Sequence, residues 1–172
     1  VVQFERNSLI NNAFGASSMS TFKVFDFNVN DDANSICVSA KHDAYKKKFN
    51  YLHERKIKID KKNGNLIGED NLIPENNNKE LINNYDIRFH LYPGISAVQT
   101  IGKNSVLIQM EKNKSLIFTA INENIILEKS IFLGRNQIIN NSCITVSGIL
   151  KNNQKKNIRW ELKKTTLYET KN

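Results

Sequence analysis

Apolar residues recur at every second position along most of this chain, and a period of two admits strands rather than helices. Between Asp86 and Tyr92, Ile87, Phe89 and Leu91 share one face while Arg88, His90 and Tyr92 share the other. Between Asn157 and Lys163, Ile158, Trp160 and Leu162 oppose Arg159, Glu161 and Lys163. Val106, Ile108 and Met110 repeat the alternation, as do Leu116, Phe118 and Ala120, and then Ile144 and Val146. Each run is short, rich in β-branched and aromatic residues, and closed by Asn, Gly or Lys clusters, as half-buried antiparallel strands require. The expected fold is an all-β antiparallel β-sandwich of about ten or more strands.

Turn chemistry points the same way. Lys62-Asn63-Gly64-Asn65 sets an Asn-Gly pair between Ile57-Lys58-Ile59 and Leu66-Ile67, which predicts a hairpin with positive φ at both turn centres. Gly102-Lys103-Asn104 separates Val98–Ile101 from Ser105–Met110, and Pro74 and Pro93 fall at strand ends, where a missing N–H breaks no ladder. Residues 74–84 read as a surface loop, and residues 1–20 as an edge segment that docks through Phe4, Leu9, Ile10 and Phe14. With no internal repeat, the 172 residues are expected to form one sandwich domain, 1–172. The opening Val1-Val2-Gln3-Phe4 carries neither an initiator Met nor a signal-peptide pattern, so the chain is read as a fragment of a longer protein. Apolar runs stay well short of the ~18 residues of a membrane-spanning helix.

The formal net charge is +8, from 25 Lys and Arg against 17 Asp and Glu, which fits a partner bearing negative charge: nucleic acid, anionic lipid or an acidic polysaccharide. A composition drifted toward Asn, Lys and Ile would supply the same charge without any partner. Lys46-Lys47-Lys48 beside Phe49 is a short basic cluster with no ribonucleoprotein aromatic pattern around it, so no specific nucleic-acid recognition is expected. Cys37 and Cys143 lie far apart among apolar residues and read as free thiols.

Three groups of residues could carry binding or chemistry. His42 shares a face with Ile36, Val38 and Ala40 and points toward the packed side at the end of its strand, without the His-x-His or His-x-x-x-His spacing of a local metal site. Tyr51, His53 and Arg55 share a face with Ile57; the mixture of aromatic, hydrogen-bonding and guanidinium groups suits a carboxylated or sulfated sugar, and equally suits solvent. Arg88, His90 and Tyr92 form a second such face, and the two would merge into one groove if their strands were neighbours. In Gly68-Glu69-Asp70 the adjacent carboxylates point to opposite faces of a strand, so they cannot act together as acid and base, but either can hold Arg55 or Arg88 in an ion pair. No nucleophile elbow, phosphate loop or CxxC pair is present, and no residue is assigned as catalytic.

The order of segments resembles the C-terminal β-sandwich of heparinase II/III-like proteins, a bacterial polysaccharide lyase family. The resemblance rests on SAKHDAYKKKFNYLHERKIKID (Ser39–Asp60), GEDNL (Gly68–Leu72), IRFHLYPGI (Ile87–Ile95), SVLIQM (Ser105–Met110), LEKSIFLG (Leu127–Gly134) and IRWELKK (Ile158–Lys164). It implies an N-terminal α/α toroid that this chain lacks, an acidic, uronate-containing polysaccharide bound between toroid and sandwich, and cleavage by β-elimination with most catalytic residues on the toroid. By itself the sandwich would be inactive; the alternative is a carbohydrate-binding or structural sandwich with no catalytic parent. The resemblance also implies zinc in the full-length protein, with His42, in a His-Asp-Ala-Tyr match to the family's His-Asp-Gly-Tyr, as a ligand. A location in the bacterial periplasm or envelope follows from the same family. The family's His-Ser-Thr or His-Asn-Thr motif would fall before Val1, and Ser18-Met19-Ser20-Thr21 is read as a chance likeness to it.

Overall fold

The computed structural model describes residues 2–4, 22–75, 83–110, 114–134, 137–150 and 154–166. The alternating segments become β1 (Val2–Phe4), β2 (Val24–Asp31), β3 (Ser35–His42), β4 (Tyr51–Asp60), β5 (Leu66–Pro74), β6 (Asn83–His90), β7 (Ser96–Gln99), β8 (Ser105–Gln109), β9 (Lys114–Ala120), β10 (Asn124–Leu133), β11 (Ile138–Leu150) and β12 (Lys156–Thr166). A helical turn, α1 (Lys46–Phe49), sits between β3 and β4, where the basic cluster lies. The strands form an eight-stranded sheet, β2-β3-β4-β5-β12-β9-β8-β7, and a four-stranded sheet, β1-β6-β11-β10. All the pairings are antiparallel, as the alternation predicts.

The core lies between the two sheets and is made by the inward half of each alternation. Tyr51, Leu72, Ile87, Val106, Ile125, Ile144, Val146 and Ile158 are buried there with Phe118 and Trp160. Phe89 reaches across from β6 to meet Phe118 and Trp160, both at 4.8 Å between ring centroids. Each large apolar side chain buried in this way contributes about 1.5–3 kcal/mol. Two glycines make room for rings. Gly68 lies directly opposite Trp160, and Gly148 opposite Tyr85; a Cβ at either position would overlap the facing ring.

The β4–β5 turn differs from the expected one. Of its residues only Gly64 has positive φ, at 70°. Asp60 organises a longer loop instead, its Oδ1 accepting from the Lys62 N–H at 2.8 Å and its carbonyl from the Gly64 N–H at 2.8 Å. In the β7–β8 turn the left-handed residue is Lys103 (φ 54°) rather than Gly102. Pro74 ends β5 as expected, while Asn83 and Asn84 already belong to β6. Residues 2–4 are an edge strand on β6; Leu9, Ile10, Phe14 and Met19, and the middle of the 74–84 segment, lie outside the described residues. Cys37 and Cys143 are free. Among the described residues no helix is long and apolar enough to cross a membrane.

The eight-stranded sheet is the wider of the two. Toward β2 its inner face opens to solvent, so Val24 and Val29 are exposed although their register puts them on that face. At the boundary between the closed core and this open end, the inward row carries polar side chains.

Candidate functional site

Asp70 occupies an inward position of β5, opposite Arg55 on β4 and Ile158 on β12, and it is fully buried. Its carboxylate accepts from Arg55 Nε at 2.7 Å and Arg55 Nη2 at 3.1 Å, from His53 Nε2 at 2.7 Å, and from Trp160 Nε1 at 2.8 Å. Four donors from two neighbouring strands replace the water that a buried carboxylate gives up. Burial alone would push the Asp70 carboxyl up, but the hydrogen bonds from His53 and Arg55 outweigh it and hold the group below the usual carboxylate range. Arg55 is therefore pinned by two parallel bonds, with its guanidinium 5.6 Å above the Phe89 ring and 6.0 Å from that of Trp160.

His42 and His53 extend this cluster toward the open end. They are direct cross-strand partners, with His42 Nε2 at 2.8 Å from His53 Nδ1, and the Ala44 N–H donates to His42 Nδ1 at 3.3 Å. Those contacts assign the tautomers. His42 Nδ1 is an acceptor, so its proton sits on Nε2 and is donated to His53 Nδ1, and the His53 Nε2–H is then donated to Asp70. The wiring runs from Ala44 through His42 and His53 to Asp70, and it leaves the His42 imidazole neutral. Burial and the adjacent His53 depress His42 to about 4. The Tyr45 ring stands 5.3 Å from His42, its hydroxyl pushed up to about 12 by burial, and the Phe22 ring stands 5.7 Å from His42 on another side.

The donor set does not match a zinc cage. Two nitrogens on one tetrahedral zinc stand about 3.3 Å apart, given Zn–N bonds of about 2.0–2.1 Å. His42 and His53 are at hydrogen-bond distance instead, and each spends both ring nitrogens within the cluster. Among the described residues no three His, Cys, Asp or Glu side chains converge to hold a metal ion.

The remaining sequence-derived candidates divide between two surfaces. Tyr51 and His53 do share a face with Arg55, but it is the core face: Tyr51 is fully buried, its hydroxyl donating to the Gln154 carbonyl at 3.3 Å, and His53 is 5% exposed. Neither has the surface position expected of a residue in contact with a polysaccharide. Arg88 and His90 lie on the outer face of the four-stranded sheet. There Arg88 Nη2 is 3.4 Å from Asp86 and 3.5 Å from Glu128, and His90 Nδ1 is 3.1 Å from Ser130 Oγ. The contacts to Glu128 and Ser130 span β11, whose Thr145 and Cys143 are small enough to let side chains of β6 and β10 meet above them. Tyr92 lies beyond the end of β6, exposed, with its ring 5.7 Å from Phe132. Arg55 and Arg88 therefore lie on opposite sides of the small sheet and do not line one groove. A cleft of about 440 Å³, lined in part by Asn84, Asp86, Asn124 and Ser147, opens on the Arg88 side.

Of the cluster, the sequence reading singled out His42, His53, Arg55 and the Arg55–Asp70 pairing. It missed Trp160 as a hydrogen-bond donor and Tyr45 as a packing partner of the histidines. The one local signal for Tyr45 is its place three residues after His42, beyond the strand end.

A family model described as "Heparinase II/III-like, C-terminal" matches residues 2–161. Among solved structures, the heparan sulfate lyase HepC from Pedobacter heparinus superposes with a TM-score of 0.72 at 15% identity, over 86% of this chain and 22% of that one. A structure titled as a heparinase III gene product gives 0.67 at 8% identity, over 87% and 22%, and a further heparinase III gives 0.67 at 14%, over 85% and 21%. The chain thus spans about a fifth of the length of these structures, and the likeness is one of fold. No curated protein sequence matches.

Proposed function

Because the chain belongs to the heparinase II/III-like C-terminal family, we propose that it is the C-terminal sandwich of a polysaccharide lyase that cleaves an acidic, uronate-containing polysaccharide by β-elimination. Such a reaction needs a base for the C5 proton, an acid for the departing oxygen, and a group to neutralise the uronate carboxylate. The observation that carries the reading is the family match across nearly the whole sandwich, together with what the Asp70 cluster leaves undone. Its histidines and carboxylate are bonded to one another, so they position β3, β4, β5 and β12 and offer no acid–base pair to a substrate. In this reading the proton transfers belong to an upstream toroid. Arg88, His90 and Tyr92 are the sandwich residues that meet the sugar, while Tyr51, His53 and Arg55 support the inner face beneath.

The test is expression of the protein with the coding region upstream of Val1, assayed on sulfated and unsulfated uronate polysaccharides for 4,5-unsaturated chain ends. Unsaturated ends from the longer protein, and none from residues 1–172 alone, support the proposal. Saturated ends would make the parent a hydrolase, and binding without cleavage would favour a non-catalytic sandwich.

A further inference from the structure

The β10–β11 hairpin runs past the rest of the small sheet. Its last residue paired to β6 is Cys143, opposite His90, while the hairpin itself continues through Phe132↔Ile139 to Leu133↔Ile138. A two-stranded ribbon gains little stability by itself, and this one is apolar on both faces. Ile131, Leu133 and Ile138 lie on one side, with Phe132 and the neighbouring Tyr92 on the other, and all five are exposed, Leu133 and Ile138 by more than 70%. Exposed apolar side chains gathered at one end of a sheet mark an interaction site.

Register says what stands next to them. β1 pairs with β6 as Val2↔Ile87 and Phe4↔Tyr85, so the polypeptide reaching Val2 comes from the end of the sheet where β6 finishes, the same end from which the hairpin projects. In the solved relatives about four fifths of the chain lies outside the matched part, and the family description places that part at the C-terminus. We infer that the projecting end of the small sheet, Ile131–Leu133 with Ile138, is the seat on which the upstream domain docks. The surface it accepts is an apolar one on that domain. The inference rests on the reading that a toroid precedes Val1, and it goes further by naming the sandwich residues that hold it.

The experiment uses the longer protein with Leu133→Asp and Ile138→Asp, and Val98→Asp as the control, since Val98 is 65% exposed on the outer face of the other sheet. Limited proteolysis at the junction and small-angle scattering report docking. Both hairpin variants should raise the junction cleavage rate roughly tenfold or more and enlarge the radius of gyration, with Val98→Asp unchanged. Residues 1–172 carrying the same substitutions should keep the urea midpoint of the unsubstituted segment, because the side chains are exposed there. Unchanged proteolysis and scattering in a longer protein that still makes unsaturated ends would overturn the docking surface and leave the lyase reading standing. A dimer of residues 1–172 abolished by either hairpin substitution would overturn it too, with a second copy as the occupant. An upstream region with no helical domain would remove the lyase reading itself.

Discussion

Replacing Asp70 by alanine removes the acceptor for four N–H bonds at the point where β4, β5 and β12 meet. Breaking a buried ion pair from one side costs about 3–5 kcal/mol, because the remaining charge stays in a poor solvent. His53 and Trp160 lose their acceptor as well, at about 1 kcal/mol or more for each N–H that water does not reach. Arg55 partly offsets this, since its side chain is 28% exposed and recovers some hydration. The expected loss is about 4 kcal/mol, a large part of the ~5–15 kcal/mol that holds a domain folded. With a urea slope of about 2 kcal/mol/M the midpoint falls by about 2 M. Trp160 is the sole tryptophan of the chain and donates to Asp70, so its fluorescence reports the transition from inside the cluster. Asp70→Asn keeps the shape but turns an NH2 group toward donors, and should lose about 2–3 kcal/mol. Lys61→Ala, which removes an exposed pair with Asp31, should stay within about 1 kcal/mol. A midpoint for Asp70→Ala within about 0.5 M of the parent would refute the argument, since the four donors would then be satisfied without the carboxylate.

Gly68→Ala sets a methyl against a Trp160 ring that its own hydrogen bond prevents from swinging away, and should cost about 3 kcal/mol or more; Gly102→Ala, whose nearest neighbour is 3.5 Å off, should stay within about 0.5 kcal/mol in the same urea titration. Stability should decline with acid in two stages. His42 titrates near 6.5 when unfolded and about 4 when folded, so the unfolded chain binds the extra proton and stability falls as pH drops through that window. Asp70, held low in the fold, adds a loss as pH falls below about 4. Urea midpoints measured across that range should show the first stage flattened in His42→Gln, and an unchanged slope would mean that His42 is not held neutral. Zinc added to residues 1–172 should leave the midpoint in place; a rise that grows with the logarithm of zinc concentration would reveal a cage that the His42–His53 bond argues against.

Strand faces were legible because they depend on parity, which is local. Ile87 and Phe89 turn inward and Arg88 and His90 outward, as the alternation requires. Partners depend on register, and register is set elsewhere. A two-residue turn at Asn63-Gly64 would have put Arg55 opposite Leu72; the longer Asp60-capped loop slides the pairing by two residues and puts Arg55 opposite Asp70. A slip of two preserves every face while changing every pair, so the reading of a shared Tyr51, His53 and Arg55 face survives and its identity as a surface does not. What turned that face from a sugar platform into a buried cluster is the small sheet laid over it, with Phe89 against Arg55, and beside it β12, whose Trp160 covers Gly68 and reaches Asp70 from 90 residues away. Nothing near Asp70 in the chain announces that donor. Ionisable residues on an inward row are better read as a demand for partners than as an exposed face, and the buried Asp70 shows how fully that demand is met.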